Sequence, residues 1–281
     1  MLGNFFTPVD YLVVGHLTVD LTPNGPQMGG TAAFAALTAR ALGMRVGIVT
    51  SFASDHLLSP LAGIQIANYA DEKSTTFENI YTSKGRLQTL HHLAPALDLY
   101  HIPEAWRSPS ILHLAPVAQE VEPGLARSFS SAMIGITPQG WLRSWNKDGH
   151  VSPTEWPEAS FVLSKAGATV ISYEDVGEDE ARIEEFASYS PVLAVTEGAN
   201  GARVYWNGDV RRFRAPQVDS VDTTGAGDIF AAAFFYRLFT TRDPWEATRF
   251  AVHLASLSVT RPGLEGIPTA EEVMETMMEV F

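Results

Sequence analysis

The 281-residue sequence contains no cysteine, which excludes disulfides and thiolate metal sites. No run approaches the roughly 18 consecutive apolar residues of a membrane-spanning helix, and no charged stretch followed by an apolar one marks the start as a leader. A cytoplasmic location without membrane attachment is expected. Positive charge is in short supply: 19 Lys and Arg stand against 32 Asp and Glu, for a net charge of −13. That balance disfavours nucleic acid as a partner, and an anionic substrate would need a locally positive pocket. Common nucleotide signatures are missing too. No Lys follows a Gly, so there is no Gly-x-x-x-x-Gly-Lys-Ser/Thr loop, and no Gly-x-Gly-x-x-Gly follows the first apolar run.

What is present is core material, 46% of the residues being hydrophobic, enough for one large domain. "DYLVVGHLTVD" (10 to 20) reads as a buried strand, "GGTAAFAALTARALG" (29 to 43) as a glycine-led helix, and "RVGIVTS" as a second strand. Further apolar strands are predicted at 111 to 117, 132 to 138, 168 to 173 and 192 to 198, with helical stretches such as "EDEARIEEFASY" between several of them. This alternation predicts an α/β fold with a mostly parallel central sheet covered on both faces. Two hairpins interrupt it. "STTFENIYTSKGRLQTLHHL" (74 to 93) alternates about a Ser83-Lys84-Gly85 turn and, with the strand "IQIANYA" before it, is expected to form a small β-flap over about 64 to 93. "GARVYWNGDVRRFRAP" (201 to 216) turns at Asn207-Gly208, after which helices are expected at 228 to 240, 244 to 260 and 269 to 280. Nothing separates two independent domains, so one domain with a flap is expected.

The stretch with the clearest chemistry is "VDTTGAGDIF" (221 to 230). Gly225 and Gly227 let the chain turn tightly and aim successive N–H groups to one side, where the following helix leaves its first donors unpaired. The helix dipole adds partial positive charge, so a phosphoryl oxyanion is stabilised there without Lys or Arg. Asp228, in the first turn, could accept the proton of a substrate hydroxyl as that oxygen attacks phosphorus. Glycine-rich turns and first-turn acids also serve helices with no such function, so the loop needs its context.

"DTTGAGD" (222 to 228) resembles the second signature of the ribokinase-like (PfkB) carbohydrate kinase family, and Gly29-Gly30 resembles part of its first; the order of elements agrees over nearly the whole chain. The resemblance implies the three-layer ribokinase-like fold with a β-lid, Asp228 as catalytic base, and Gly225, Ala226 and Gly227 as the anion hole. It further implies Asp20 as a carboxylate receiving substrate hydroxyls, with Gly29 and Gly30 allowing close approach of the sugar. "VTEGANGARVYW" (195 to 206) is similar to the segment along the nucleotide, so Thr196, Gly198 and Gly201 are expected at ATP. Asp222 and Thr223 belong to a loop that in many members helps hold a monovalent cation such as K⁺.

The sequence also departs from the family pattern. Phe34 stands where the first signature usually has an Asn that touches a sugar hydroxyl. The Asn-x-x-Glu motif of the Mg²⁺ shell corresponds to Ser172-Tyr173-Glu174-Asp175, which makes Asp175 the residue expected to organise water around Mg²⁺, with Glu174 the alternative one residue off. Val252 and His253 lie near the place of an adenine-side Asn. Gln139 and Arg143 are expected to face the pocket, Arg143 as a phosphate or substrate contact. His91 and His92, adjacent on a strand, point to opposite faces and cannot chelate together. Phe234, Phe235 and Phe239, at helical spacing, read as core.

The reading implied is an ATP-dependent kinase acting on a hydroxyl of a sugar, polyol or cyclitol, and a homodimer through the lid. Phe34 with the flap aromatics Phe77 and Tyr81 leaves a nucleoside acceptor open, and a non-catalytic sugar- or nucleotide-sensing relative is the alternative from another class.

Overall fold

The structure, a computed structural model, describes residues 6–69, 71–82 and 85–279. Strand β1 (Tyr11–Val14) is buried along its whole length, as its unbroken apolar run demands. The run expected over 10 to 20 does not stay one strand. It breaks at Gly15, where a β-carbon would sit 2.2 Å from the carbonyl oxygen of Ala115, and resumes as β2 (Thr18–Thr22) in a second sheet. A turn at Pro23-Asn24 returns the chain as β3 (Gly25–Gly29), antiparallel to β2, before α1 (Thr31–Ala41) begins. Thus a hairpin is inserted inside the opening βαβ unit.

After β4 (Val46–Thr50), strand β5 (Gln65–Asn68) pairs parallel to it at the edge of the main sheet. This corrects the expectation that "IQIANYA" belongs to the flap. The flap hairpin itself forms as β6 (Thr75–Thr82) and β7 (Gly85–His92); Ser83 and Lys84 of its expected turn lie outside the described residues. The lid is therefore a four-stranded sheet in the order β3-β2-β6-β7. The sequence conceals this, because β2 and β6 come together in parallel from segments about 57 residues apart, read from Thr18↔Thr75.

The main sheet continues through β8 (Ile111–Leu114) and β9 (Met133–Ile136), a small β10 (Arg143–Trp145) and β11 (Val151–Pro153) hairpin, α2 (Ala159–Leu163), β12 (Ala168–Ser172), α3 (Glu180–Tyr189) and β13 (Val192–Thr196). It ends with β14 (Ala202–Trp206) and β15 (Asp209–Phe213), an antiparallel hairpin. Asn207 and Gly208 take φ of 51° and 78°, the left-handed pair a tight two-residue turn requires. The order across the nine strands is β15-β14-β13-β12-β9-β8-β1-β4-β5, parallel from β13 to β5.

The chain then forms α4 (Ala226–Thr241), α5 (Pro244–Ser258) and α6 (Ala270–Glu279). Helix α4 packs between the sheet and its neighbours α1 and α5. Phe230, Phe234 and Phe235 are buried in one of the two cores flanking the sheet, each worth about 2–3 kcal/mol in area removed from water. Asp243 caps α5 by accepting from the N–H groups of Trp245 and Glu246 at 2.8 and 3.2 Å, which fixes the sharp α4–α5 corner. Among the described residues no helix is long and apolar enough to cross a membrane.

Candidate active site

The carboxyl ends of the parallel strands, the lid and the start of α4 enclose a cleft of about 1870 Å³. Of the residues singled out from the sequence, Asp20, Gly30, Arg143, Thr196, Gly198, Gly201, Asp222, Thr223, Gly225, Ala226, Gly227 and Asp228 line it, while Gly29 packs against Asp20 and Asp175 is hydrogen-bonded to the lining residue Gln139. Residues from 20 to 228 thus converge on one cavity.

At its floor the glycine loop turns into α4. Gly225, the N-cap residue, has φ 77°, a left-handed backbone that a side chain would strain. Its space is also spoken for: a β-carbon there would lie 2.2 Å from Cδ1 of Phe34. Ala226 donates its N–H to the Thr223 carbonyl at 3.2 Å and closes the turn. Gly227 and Asp228, in the first turn, carry N–H groups that the helix cannot pair internally.

Asp228 is partly buried at the mouth of α4. Desolvation pushes its carboxyl up to about 6; a hydrogen bond from Thr31 and the charge of Arg143 act the other way, while Asp175 and Asp20 add to the rise. Arg143, Asp20 and Asp175 thus surround the one acid closely enough for their charges to act on it. A carboxylate poised near 6 is mostly ionised at neutral pH yet retains enough basicity to hold a proton briefly.

Asp20 sits on β2, paired with Gln27 of β3 and Phe77 of β6. Thr18 Oγ1 donates to its Oδ1 at 3.1 Å. Gly29 has its role here: a β-carbon on it would fall 2.3 Å from Asp20 Oδ2, so the glycine makes room for the carboxylate. On the same lid face, sequence reasoning missed Asn79 and Gln88, a cross-strand pair in which Gln88 Nε2 donates to Asn79 Oδ1 at 2.9 Å. Both line the cleft, and the alternation of the hairpin could have identified them.

Asp175 accepts from Gln139 Nε2 at 2.9 Å and from the Ser172 N–H at 3.0 Å, closing a reciprocal capping box at the end of β12. Glu174, its exposed neighbour, is the one of the two that lines the cleft. Asp222 takes the Thr224 N–H at 2.9 Å and the Gly263 N–H at 2.8 Å, tying the glycine loop to the segment after α5. Burial opposes its ionisation, but those hydrogen bonds hold its carboxyl below the usual range. Beyond the loop, Ala215, Pro216, Val252, Ala255, Val259 and Leu264 give the cleft an apolar end. Gly201 is wedged against β15, where a β-carbon would lie 2.0 Å from the Phe213 carbonyl oxygen. His91 pairs with Glu78 at 2.9 Å, and no cluster of three metal-ligating side chains occurs among the described residues.

The chain is similar to known kinases. A family model described as pfkB family carbohydrate kinase matches residues 153–270. A cytidine kinase of Thermococcus kodakarensis is 24% identical over 270 residues, covering 88% of this chain and 95% of its own length. A fructokinase of Escherichia coli is 26% identical over 303 residues, covering 93% and 97%. Among solved structures, a pyrophosphate-dependent kinase of the ribokinase family, complexed with a pyrophosphate analogue and myo-inositol, superposes with a TM-score of 0.78 at 19% identity, over 95% of this chain and 99% of its own. With the signature at 222–228 at the floor of a cleft roofed by a β-lid, this chain is similar to the pfkB family of carbohydrate kinases over residues 153–270 and shares the fold of the ribokinase-family structures.

Proposed function

We propose that the protein transfers the γ-phosphoryl group of ATP to a hydroxyl of a sugar, polyol or cyclitol. The observation that carries the reading is Asp228, a carboxylate held near a pKa of about 6 beside the free amides at the head of α4. The acceptor oxygen gives its proton to Asp228 as it forms the new bond to phosphorus, and the bond from phosphorus to the ADP oxygen breaks. The Gly227 and Asp228 amides and the α4 dipole stabilise charge on the phosphoryl oxygens. Asp20, with Asn79 and Gln88 on the same lid face, orients the acceptor, and Arg143 offsets negative charge next to Asp228. The lid over the cleft excludes water, so that transfer outcompetes hydrolysis.

ATP is favoured over pyrophosphate as donor by the apolar end of the cleft, which suits a nucleobase; Thr196, Gly198, Gly201 and Thr223, which line the same cleft, are the residues assigned to the nucleotide. Mg²⁺ bound with the nucleotide would neutralise phosphate charge. Asp175 and Glu174 are hard oxygen donors of the kind that hold its water shell. The ionised Asp222 loop is the place for a monovalent cation such as K⁺, tested by the K⁺ dependence of kcat.

A nucleoside acceptor is the second reading, favoured by Phe34 and Phe77, two aromatic side chains lining the cleft. ATP consumption measured over pentoses, hexoses, sugar phosphates, inositols and nucleosides separates the two. Demonstrated ATP binding with no turnover on any acceptor would instead support a sensing relative.

The lid face opposite Asp20 carries Leu21, Ile80 and Leu87, all exposed, with Ile80 and Leu87 directly paired across the hairpin and Leu21 and Ile80 also bordering the cleft. Such a face is a liability in a monomer, and a homodimer through the lids would cover it. Ile80→Glu should then convert a dimer to a monomer in sedimentation analysis. Use of ATP supports a cytoplasmic setting.

A further inference from the structure

His16 lies where the main sheet hands the chain to the lid, and nothing above assigns it a role. It is fully buried. Four crossings join the two sheets: residues 15–17 into β2, Gly30 out of β3, the approach to Thr75 at the start of β6, and 93–95 out of β7. All four converge on this residue. Its Nε2 is 2.9 Å from the carbonyl oxygen of Pro95, which can only accept, so Nε2 carries the proton. Nδ1 is then the bare nitrogen of a neutral ring and accepts from the Thr75 hydroxyl at 2.7 Å. Thr75 Oγ1 in turn accepts from the Ala94 N–H at 3.0 Å.

The backbone of His16 is equally committed. Its N–H donates to Glu120 Oε1 at 3.0 Å, and that buried carboxylate also receives the N–H groups of Val117 and Ala118. Its carbonyl oxygen lies against Gly30, 2.6 Å from where a β-carbon would stand. Burial lowers the imidazole pKa, against the opposing pull of Glu120 and Pro95, in keeping with the neutral ring that the partners require. Every ring donor and acceptor is used, so any other pose leaves a buried polar group unpaired. Two residues further along, Thr18 holds the Asp20 carboxylate.

We infer that His16 is a positioning residue: it pins the strand crossings of the lid in the pose that sets Asp20 over the acceptor, and so governs acceptor binding and the coupling of ATP use to transfer. The inference rests on the kinase reading above. It is tested with His16→Gln, which keeps a donor at the place of Nε2 for Pro95 and has no acceptor at the place of Nδ1 for Thr75, with Thr75→Val, which removes the hydroxyl, and with Thr75→Ser, which restores it.

In His16→Gln and Thr75→Val the acceptor KM should rise at least about tenfold, with the ATP KM within about twofold of wild type. ATP hydrolysis without transfer should increase, and the double variant should be no worse than the worse single one. Thr75→Ser should behave as wild type. Amide hydrogen exchange should quicken in 18–29 and 75–92 but not in 168–206. Unchanged acceptor KM and coupling, an equal rise in the ATP KM, or a Thr75→Ser variant as damaged as Thr75→Val would each overturn the inference. If the wild type phosphorylates no acceptor, the kinase reading is what has failed. Lid exchange unaltered by Thr75→Val then overturns the role of His16 independently.

Discussion

The ring of Phe34 lies against Gly225, so close that a β-carbon on the glycine would stand 2.2 Å from Cδ1. The two ends of the site, the start of α1 and the start of α4, are thereby packed on each other, and the loop has no room to shift without moving α1. Gly225 and Gly227 should consequently respond differently to the same substitution. Gly225→Ala meets Phe34 and also forces a left-handed residue, which costs about 1–2 kcal/mol before any clash. Gly227 has no atom within 4 Å of its would-be β-carbon. Thermal melts should show Gly225→Ala destabilised and Gly227→Ala close to wild type. Both should lose kcat by at least about 100-fold, since the Gly227 methyl enters the space over the α4 amides.

The pH dependence follows from Asp228, whose pKa rises from 3.8 to about 6 on folding. A carboxyl raised in the folded state binds its proton more tightly there, so stability falls as pH climbs from about 4 to about 6 and is constant above. The ionised acid therefore costs stability at neutral pH, by about 1–3 kcal/mol. Asp228→Asn should raise the melting temperature at pH 7 and flatten its fall between pH 4 and 6. Turnover should drop by about 10²–10⁴-fold with ATP affinity retained. In the wild type, kcat/KM for the acceptor should rise with unit slope up to a pH of about 6 and then level. A limb near 4, or an active Asn variant, would remove Asp228 from the role of base.

These predictions draw unequally on what the sequence displays. The parallel strands, the Asn207-Gly208 hairpin and the three C-terminal helices were legible because each is a local pattern: an apolar run, a turn dipeptide, a 3.6 period. The glycine turn into α4 was legible for the same reason, since "GAGD" combines backbone freedom, a helix start and an acid within four residues. The lid was only half legible. Strands β6 and β7 announce themselves by alternation, whereas β2 and β3 hide inside a run that looks continuous with β1, and β5 looks like a lid strand but pairs with β4. Pairing between distant segments leaves no local trace. Asp175 was placed by register alone, and the sequence could not show that Gln139 and the Ser172 amide occupy both of its oxygens.

Asp20 offers a prediction that separates acceptor from donor. Gly29→Ala puts a methyl 2.3 Å from Asp20 Oδ2 and must displace the carboxylate without touching the nucleotide end of the cleft. Steady-state kinetics should show the acceptor KM raised by about tenfold or more with the ATP KM nearly unchanged, the pattern of a lost acceptor contact. Asp20→Asn, which keeps the shape but not the charge, should fall between the two. Equal effects on both substrates would mean that Asp20 supports the fold rather than the acceptor.

The assignment of the Mg²⁺ shell turns on two neighbouring carboxylates with opposite surroundings. Asp175 is held from two sides, whereas Glu174 is exposed at the cleft with its N–H, not its carboxylate, engaged by Ser172 Oγ at 3.3 Å. A preorganised carboxylate orients water at lower entropic cost than a free one, which favours Asp175. Asp175→Asn must turn its amide toward one of two donors and lose a partly buried hydrogen bond, costing about 1 kcal/mol of stability. It should also weaken Mg²⁺-dependent ATP binding, read by calorimetry across a Mg²⁺ titration, by about tenfold. It removes a negative charge near Asp228 as well, so the acid limb of the rate profile should move to lower pH. Glu174→Gln should leave stability and the acid limb unchanged and shift Mg²⁺ dependence little. The reverse pattern, with Glu174→Gln abolishing the Mg²⁺ dependence, would transfer the role to Glu174 and leave Asp175 as the cap of β12.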